Sequence, residues 1–321
     1  MTPRTPAPTT RRGAPQRSGR HWARERERGA PLLMRLTAWA ARRCGRRALR
    51  PVVAAIVFYF YCFSPSARRS IAQYQQRLRL AGAAAALPAR RPVYGQFLAF
   101  AEAILDKLDV WQGRLTGRDV VMQDPDGLHA QMHTGRGQIL VGSHLGNLEI
   151  CRALVERGGQ LTLNVLVHTR HAQAFNRLLA DAGASRLRLI QVTELDAAVM
   201  LQLHERIERG EWLAIAGDRI PVRGDRVVDV DFLGAPAPFP QGPWLLAALL
   251  KCPVNLLFCT KIGHRYRITL ERLAERIELK RGEREAGVRA WAQRYADRLA
   301  RECRDAPQQW FNFYPFWSPH A

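Results

Sequence analysis

The sequence predicts an α/β protein with a mixed, largely parallel sheet flanked by helices and preceded by further helices. Two observations predict the sheet. From Gly137 onward, short apolar runs bounded by turn residues alternate with amphipathic segments of helical period. Several of these runs end in small or polar residues, as buried parallel strands do at the rim of a sheet. A third observation, an apolar run at 51–63 flanked by arginines, predicts N-terminal helices at a membrane surface.

The alternation places the elements in order along the chain. Strands are predicted at 138–142, 161–167, 187–192, 212–216, 227–232, 254–260 and 265–270, and helices at 71–87, 93–111, 148–157, 172–182, 195–209, 243–250 and 284–304. Residues 120–122 and 128–132 are predicted to form a hairpin around the turn 124–127. The four prolines and two glycines of residues 231–243 predict a rigid loop.

Composition divides the chain into three parts. Residues 1–30, rich in Pro, Arg, Thr and Gly, are predicted to be a disordered basic tail. Residues 31–92 are predicted to be a membrane-anchoring helical segment. Its apolar run at 51–63 is shorter than the roughly 20 residues that cross a bilayer, so we expect it to lie in one leaflet. A buried core helix is the alternative. Residues 93–321 are predicted to form one catalytic domain.

The net charge of +21 predicts anionic partners, namely phospholipid headgroups, nucleic acid or an acidic protein. Fourteen arginines against two glutamates lie in residues 1–50, so much of this charge belongs to the tail and to the flank of the apolar run. A nucleic-acid interface would instead place its charge on a folded face with interleaved aromatic residues. The six cysteines show no CxxC pair and no zinc-like cluster, which favours a reduced, cytoplasm-facing compartment and no metal.

The most informative stretch is residues 137–150, which read GQILVGSHLGNLEI. A buried strand ends there in small residues, and His144 follows at the predicted carboxyl rim. Glu149 comes five positions later, where an amphipathic segment begins. Histidine is the usual general base near neutral pH, and a carboxylate on its far nitrogen fixes the tautomer. We therefore predict that His144 and Glu149 form a catalytic pair. A surface histidine followed by an acid in a first helical turn is the alternative.

Residues 143–149 resemble the HxxxxD/E signature of the lysophospholipid acyltransferase superfamily, and residues 50–317 are similar to its lipid A biosynthesis acyltransferase branch. The resemblance implies a glycerolipid acyltransferase-like fold at the cytoplasmic face of the bacterial inner membrane. It also implies an O-acyltransferase that moves a fatty acyl chain from acyl carrier protein or coenzyme A to a hydroxyl of a lipid or glycolipid. The thioester would be a co-substrate, with no resident cofactor. No GxSxG motif is present, which argues against a covalent serine intermediate.

Two basic residues follow the predicted strand at 161–167. Arg170 matches a basic position of the family and could hold a phosphate or polarise a thioester carbonyl, because a guanidinium matches oxyanions. Arg177 is a second candidate for the same role. A solvated cluster at a helix start is the alternative for both.

Two further pairs of residues are candidates for substrate binding. Asp218 and Arg219 resemble a third motif of the family. Asp218 could orient His144 or Arg170, and Arg219 could meet an acceptor phosphate, with a turn closed by a local ion pair as the alternative. Gln241 and Gly242 precede a helix, where their backbone N–H groups could hold an anion. The six aromatic residues of 306–317 are expected, by the resemblance, to pack near the active site; a membrane-interface patch is the alternative.

The acceptor stays open between lipid A, another glycolipid and a polyene-type lipid, because residues 168–173 and the Phe-Pro-Gln-Gly-Pro sequence depart from the usual lipid A enzymes. Two other functions compete with acyl transfer. A non-catalytic, membrane-associated lipid-binding protein would need neither His144 nor Glu149. A nucleic-acid-binding protein would account for the charge alone.

Overall fold

A computed structural model of the chain describes residues 49–111, 114–132, 135–148, 150–151, 162–167, 187–191, 197–220 and 226–317. The helices are α1 Leu49–Phe63, α2 Pro65–Leu78, α3 Pro92–Trp111, α4 Leu128–Gln131, α5 Ala197–Glu208, α6 Gly242–Leu250 and α7 Arg284–Asp305. Short helical turns are found at Arg79–Ala83, Ala84–Ala86 and Gly117–Asp119. The strands are β1 Val120–Gln123, β2 Ile139–Gly142, β3 Leu163–Val167, β4 Leu187–Gln191, β5 Trp212–Ala216, β6 Val227–Phe232, β7 Ala235–Pro240, β8 Val254–Ile262 and β9 Arg265–Ala274.

The predicted mixed, largely parallel sheet is confirmed. Its strands follow the order β1-β9-β8-β2-β5-β3-β4, and every neighbouring pair is parallel except β8 with β9. Strands β2 and β5 pair in register from Ile139–Leu213 to Gly142–Ala216. Both strands therefore end at the same level, and the residues that follow them emerge side by side at the carboxyl rim.

The apolar residues of β2 account for its place in the middle of the sheet. Ile139 and Val141 belong to the larger core cluster, which includes Tyr295 of α7. Leu140 belongs to a second cluster with Trp212. Successive side chains of a strand point to opposite faces, so both faces of β2 are covered. A strand that is buried on both faces reads as a continuous apolar run, as this one does.

The predicted hairpin at 120–132 is wrong. Strand β1 pairs in parallel with β9, and the second arm of the expected hairpin is the helix α4. Two hydrogen bonds at the start of α4 explain the helix: the Asp124 carboxylate accepts from the backbone N–H groups of Leu128 and His129, both at 2.8 Å. Satisfying these first amide groups favours a helix over a strand.

The loop predicted at 231–243 is a strand over part of its length. Strand β7 pairs antiparallel with β6, with Val228 opposite Phe239 and Val230 opposite Ala237. The prolines at 236, 238 and 240 recur at every second position, so their nitrogen atoms face the same edge of the strand. The residues between them have N–H groups and can form the hydrogen bonds to β6.

Helices α1 and α2 meet at a sharp corner. Together with its continuation to Ala86, α2 is bent by 90° relative to α1. Among the described helices none alone has the length and apolar run needed to cross a bilayer, whereas this bent pair passes that test by length and composition. One side of α1 packs on the other helices through Val57, which contacts the cluster of Ile71 and Phe97. The predicted tail 1–30 and residues 31–48 lie outside the described residues, as does most of the predicted helices 148–157 and 172–182.

The turn after β2 is fixed by neighbours on both sides. The N–H of Phe311 donates to the carbonyl of His144 at 2.9 Å, and the N–H of Gly146 donates to the carbonyl of Gln309 at 2.8 Å. On the other side, the N–H of Asn147 donates to the carbonyl of Cys259 in β8 at 2.8 Å. The turn is thus clamped between β8 and the C-terminal segment, which sets the direction of the His144 side chain.

Gly146 is required at this turn for two reasons. Its φ is +73°, a conformation that side chains disfavour, and an added Cβ would lie 1.8 Å from the carbonyl oxygen of Cys259. We expect Gly146→Ala to lower the free energy of unfolding by about 3 kcal/mol or more, measured by urea titration. Gly234→Ala is the matched control, because Gly234 has a φ of +78° and open space around its Cα. Its expected loss is about 1 kcal/mol. Equal losses in the two variants would contradict the close approach.

Candidate active site

Two residues that follow neighbouring strands meet at the carboxyl rim. His144 follows β2 and Asp218 follows β5. Gly217 allows the second turn, because a Cβ at this position would lie 2.6 Å from Cζ of Tyr295. The Tyr295 hydroxyl donates to the carbonyl of Gly142 at 2.8 Å, so α7 buttresses the ends of both strands.

The side chains of His144 and Asp218 form a close pair. Nδ1 of His144 lies 2.8 Å from Oδ1 of Asp218, and the backbone N–H of His144 donates to Oδ2 at 2.7 Å. The Asp218 side chain is 1% exposed and that of His144 is 37% exposed. A carboxylate only accepts hydrogen bonds, so this contact places the ring proton on Nδ1 and leaves Nε2 as an acceptor.

A third donor completes the surroundings of Asp218. The indole N–H of Trp310, a fully buried residue of the C-terminal segment, donates to Oδ2 at 2.9 Å. Burial opposes ionisation of Asp218, but the charge and hydrogen bonds of His144, together with the charge of Arg219, outweigh it and lower the pKa of the carboxyl. Asp218 is therefore an anion at neutral pH, aimed at the imidazole.

This arrangement can perform base chemistry. An imidazole whose Nδ1 is held by an anion can take a proton at Nε2, because the nearby negative charge stabilises the imidazolium that forms. The ring is partly exposed, so a substrate hydroxyl can approach it.

The structure brings some of the predicted site residues together. His144 lies at the carboxyl rim, and Asp218 contacts its imidazole. Glu149 is the predicted partner of the far nitrogen of His144, whereas Asp218 lies against Nδ1. Glu149 lies outside the described residues, as do Arg170 and Arg177, so their roles stay predictions.

Arg219 lies next to the pair and is half-buried. Its guanidinium carbon stands 5.1 Å from the centre of the Tyr314 ring, which is a cation–π distance. Arg219 thus packs on the C-terminal aromatic segment. A turn closed by a local ion pair, the alternative for this residue, does not by itself describe its surroundings. Binding of a substrate phosphate by Arg219 stays a prediction.

The expected use of Gln241 as a backbone anion donor finds no support. Its N–H already donates to the carbonyl of Arg226 at 3.0 Å. Its side-chain amide donates to the carbonyl of Val227 at 2.7 Å. Both donors thus tie the start of α6 to β6. Whether Gln241 or Gly242 touches a substrate stays a prediction.

Trp310 and Tyr295 contact the site but are not among the predicted site residues. The signal for Trp310 is the aromatic C-terminal segment, and this segment packs against the His144–Asp218 pair through the contact of Trp310 with Asp218. Trp310, Phe311, Phe316 and Trp317 are all buried, so a membrane-interface patch does not describe these four side chains. Tyr295 carried no signal, because one tyrosine in an amphipathic helix reads as an ordinary core residue.

A histidine held by a buried carboxylate at the carboxyl rim of an α/β sheet defines a site for general-base chemistry. Residues 96–318, more than half of the chain, match the family described as bacterial lipid A biosynthesis acyltransferase. The chain belongs to this family of acyltransferases that act on a lipid. A comparison with individually curated proteins gives no match.

Replacing Asp218 tests the electrostatics of the pair. Because folding lowers the pKa of Asp218, its ionised form stabilises the fold fully above the unfolded pKa of about 3.9. This contribution is lost as the pH falls through the lower folded-state pKa. We expect Asp218→Asn to cost about 1–3 kcal/mol of the free energy of unfolding at neutral pH, and progressively less below about pH 4.

Urea titrations at a series of pH values measure this difference. Asp229→Asn, which changes an exposed carboxylate on β6, is the control and should differ little from the wild type at any pH. A cost of Asp218→Asn that stays constant from neutral to acid pH would contradict the assignment of a lowered pKa.

Proposed function

We propose that the protein moves a fatty acyl chain from an acyl thioester to a hydroxyl of a lipid or glycolipid, with His144 as the general base. The observation that carries this proposal is the buried Asp218 carboxylate on Nδ1 of a partly exposed histidine. Membership of the lipid A biosynthesis acyltransferase family supports the reaction class and a lipid acceptor. The donor is acyl carrier protein or coenzyme A, of which the first suits a basic protein because the carrier is acidic.

The reaction proceeds by direct transfer. Nε2 of His144 takes the proton of the acceptor hydroxyl as its oxygen attacks the thioester carbonyl. Asp218 stabilises the imidazolium during this step. The tetrahedral intermediate then expels the thiolate, which receives the proton from His144 and leaves as a free thiol. The products are an ester and a thiol, so His144 is restored with its proton on Nδ1.

The orienting role in this scheme belongs to Asp218 rather than to Glu149. An imidazole Nδ1 carries one proton and donates it to one principal acceptor, and Oδ1 of Asp218 lies at 2.8 Å from it. A role for Glu149 elsewhere in the reaction remains a separate prediction of the HxxxxE signature.

The developing negative charge needs donors of its own. Arg170 or the backbone N–H of Gly242 would stabilise the oxyanion, and Arg177 or Arg219 would hold a phosphate of the substrate. Arg219 follows Asp218 in sequence and therefore lies beside the His144–Asp218 pair. The scheme requires no metal, and the acyl thioester is a co-substrate rather than a resident cofactor.

We further propose that the protein docks on the cytoplasmic face of the bacterial inner membrane through its N-terminal helices. Helix α1 exposes Phe58, Tyr59 and Phe63. Leu80, after α2, and Phe100 of α3 are exposed as well. Large apolar side chains at this density mark an interaction surface, and flanking arginines suit anionic headgroups. A lipid acceptor would then reach the site from the membrane.

His144→Ala is expected to reduce acyl transfer by at least a thousandfold without loss of folded protein, because the base is removed. The assay follows label from dodecanoyl- and palmitoyl-acyl carrier protein into a bacterial membrane lipid extract. His204→Ala, which removes an exposed histidine of α5, is the matched control and should retain activity. Equal transfer by His144→Ala and the wild type would show that His144 is not the base, and no transfer by either protein would leave only a non-catalytic lipid-binding role.

The apolar surface of α1 is expected to carry membrane binding. Replacing Phe58, Tyr59 and Phe63 together by serine should weaken binding to phosphatidylethanolamine–phosphatidylglycerol vesicles about tenfold or more, because exposed aromatic area no longer enters the interface. Flotation in high salt measures the apolar contribution to vesicle binding, because salt screens the attraction between the basic residues and the anionic lipid. Leu201→Ser with Leu249→Ser removes exposed apolar side chains of α5 and α6 and is the control. Equal weakening by both sets would exclude α1 as the docking surface.

A further inference from the structure

We propose that Trp310 is a positioning residue of the reaction: its indole N–H holds the Asp218 carboxylate in the orientation that grips His144. This inference rests on the proposed base role of His144. It assigns a catalytic dependence to a tryptophan that touches neither the acyl donor nor the acceptor in the scheme above.

The geometry around the carboxylate supports a positioning role. Oδ1 of Asp218 accepts from the ring of His144, whereas Oδ2 accepts from two donors, the backbone N–H of His144 at 2.7 Å and the indole N–H of Trp310 at 2.9 Å. Three donors on two oxygens fix the rotation of the carboxylate about its Cβ–Cγ bond. Without the indole, one backbone donor alone would restrain Oδ2.

The backbone of Trp310 is held in place from two sides. The backbone of Trp310 bridges Leu145 in the turn that carries His144. Its carbonyl accepts a hydrogen bond from the side chain of Gln96 in α3 at 2.8 Å, and Gln96 accepts one from Gln75 in α2 at 3.0 Å.

Aromatic rings complete the packing of Trp310. The ring of Tyr74 lies 4.9 Å from the indole, centre to centre, and the ring of Phe232 lies at 5.4 Å. The indole is fully buried and cannot swing away from Asp218 without disturbing these neighbours. Helices α2 and α3 thus support the Asp218 carboxylate through Trp310.

A second tryptophan is buried to the same degree without such a contact in the described part of the chain. Trp244 in α6 is as completely buried as Trp310, yet its indole N–H has no hydrogen-bond partner among the described residues. Burial of an indole in this core therefore does not by itself require a carboxylate partner. The same tryptophan also provides a control of equal size and burial.

Loss of the indole N–H has two expected effects. The carboxylate gains rotational freedom, so the imidazole is aimed less well and kcat falls about tenfold while KM changes little. The carboxylate also loses a donor that stabilises its anion, so it becomes more basic and the His144–Asp218 pair holds its proton more tightly. The acid limb of the kcat/KM profile should therefore move up by about 0.5–1 pH unit.

The experiment compares four variants of the full chain in the acyl carrier protein assay. Trp310→Phe removes the N–H and some volume. Trp310 replaced by benzothienylalanine has sulfur in place of the N–H and keeps the shape, so it remains informative where Trp310→Phe folds poorly. Trp244→Phe is the matched control, and His144→Ala tests the base role on which the inference rests. The measured quantities are kcat, KM and the pH profile with dodecanoyl- and palmitoyl-acyl carrier protein.

The proposal is supported where both Trp310 variants lower kcat and shift the acid limb upward while Trp244→Phe keeps the wild-type profile. A benzothienylalanine variant with the wild-type kcat and pH profile would overturn it, as would a loss of kcat with no shift of the acid limb. Retained activity of His144→Ala would instead defeat the proposed function. Inactive His144→Ala beside unaffected Trp310 variants would defeat this inference alone.

Discussion

A single buried carboxylate determines how this site is built. Taking the Asp218 anion out of water is costly unless it is paired and hydrogen-bonded, and here the imidazole, a backbone N–H and an indole N–H surround it. These donors also fix its orientation. The donors that offset the cost of burying the carboxylate also orient it. With all of them in place, the ring of His144 has one preferred orientation.

The sheet topology places these groups together. Strands β2 and β5 are parallel neighbours in register, so the residues after them meet without any long connection. The clamp that holds the turn after β2 comes from a distant part of the chain, the C-terminal segment around Trp310, which α2 and α3 hold in turn through Gln75 and Gln96. Hydrogen bonds therefore connect the helices proposed to lie on the membrane to the turn that carries His144.

Local sequence pattern predicts most strands of the sheet and the position of His144, but not the parallel pairing of β1 with β9. The run before His144 is apolar throughout and ends in small residues, so both the strand and the rim position were readable. The partner of His144 was harder to predict, because Glu149 and Asp218 both belong to plausible motifs. Only the order of the strands in the sheet shows that Asp218 comes next to His144. Trp310 lies 92 residues from Asp218 in the chain, and no local pattern reports such a contact. The strand β7 was missed because proline is read as a breaker, although alternate prolines leave one ladder intact.

The central claim is that Asp218 fixes the tautomer of His144 with Nε2 free to act as the base. The most direct measurement is the ¹⁵N NMR spectrum of histidine-labelled protein, in which the signals of His144 are identified by their loss in His144→Ala. We expect a proton on Nδ1 and a bare Nε2 in the neutral ring, and a loss of this preference in Asp218→Asn. A proton on Nε2 in the wild type, or the same tautomer with and without the carboxylate, would contradict it.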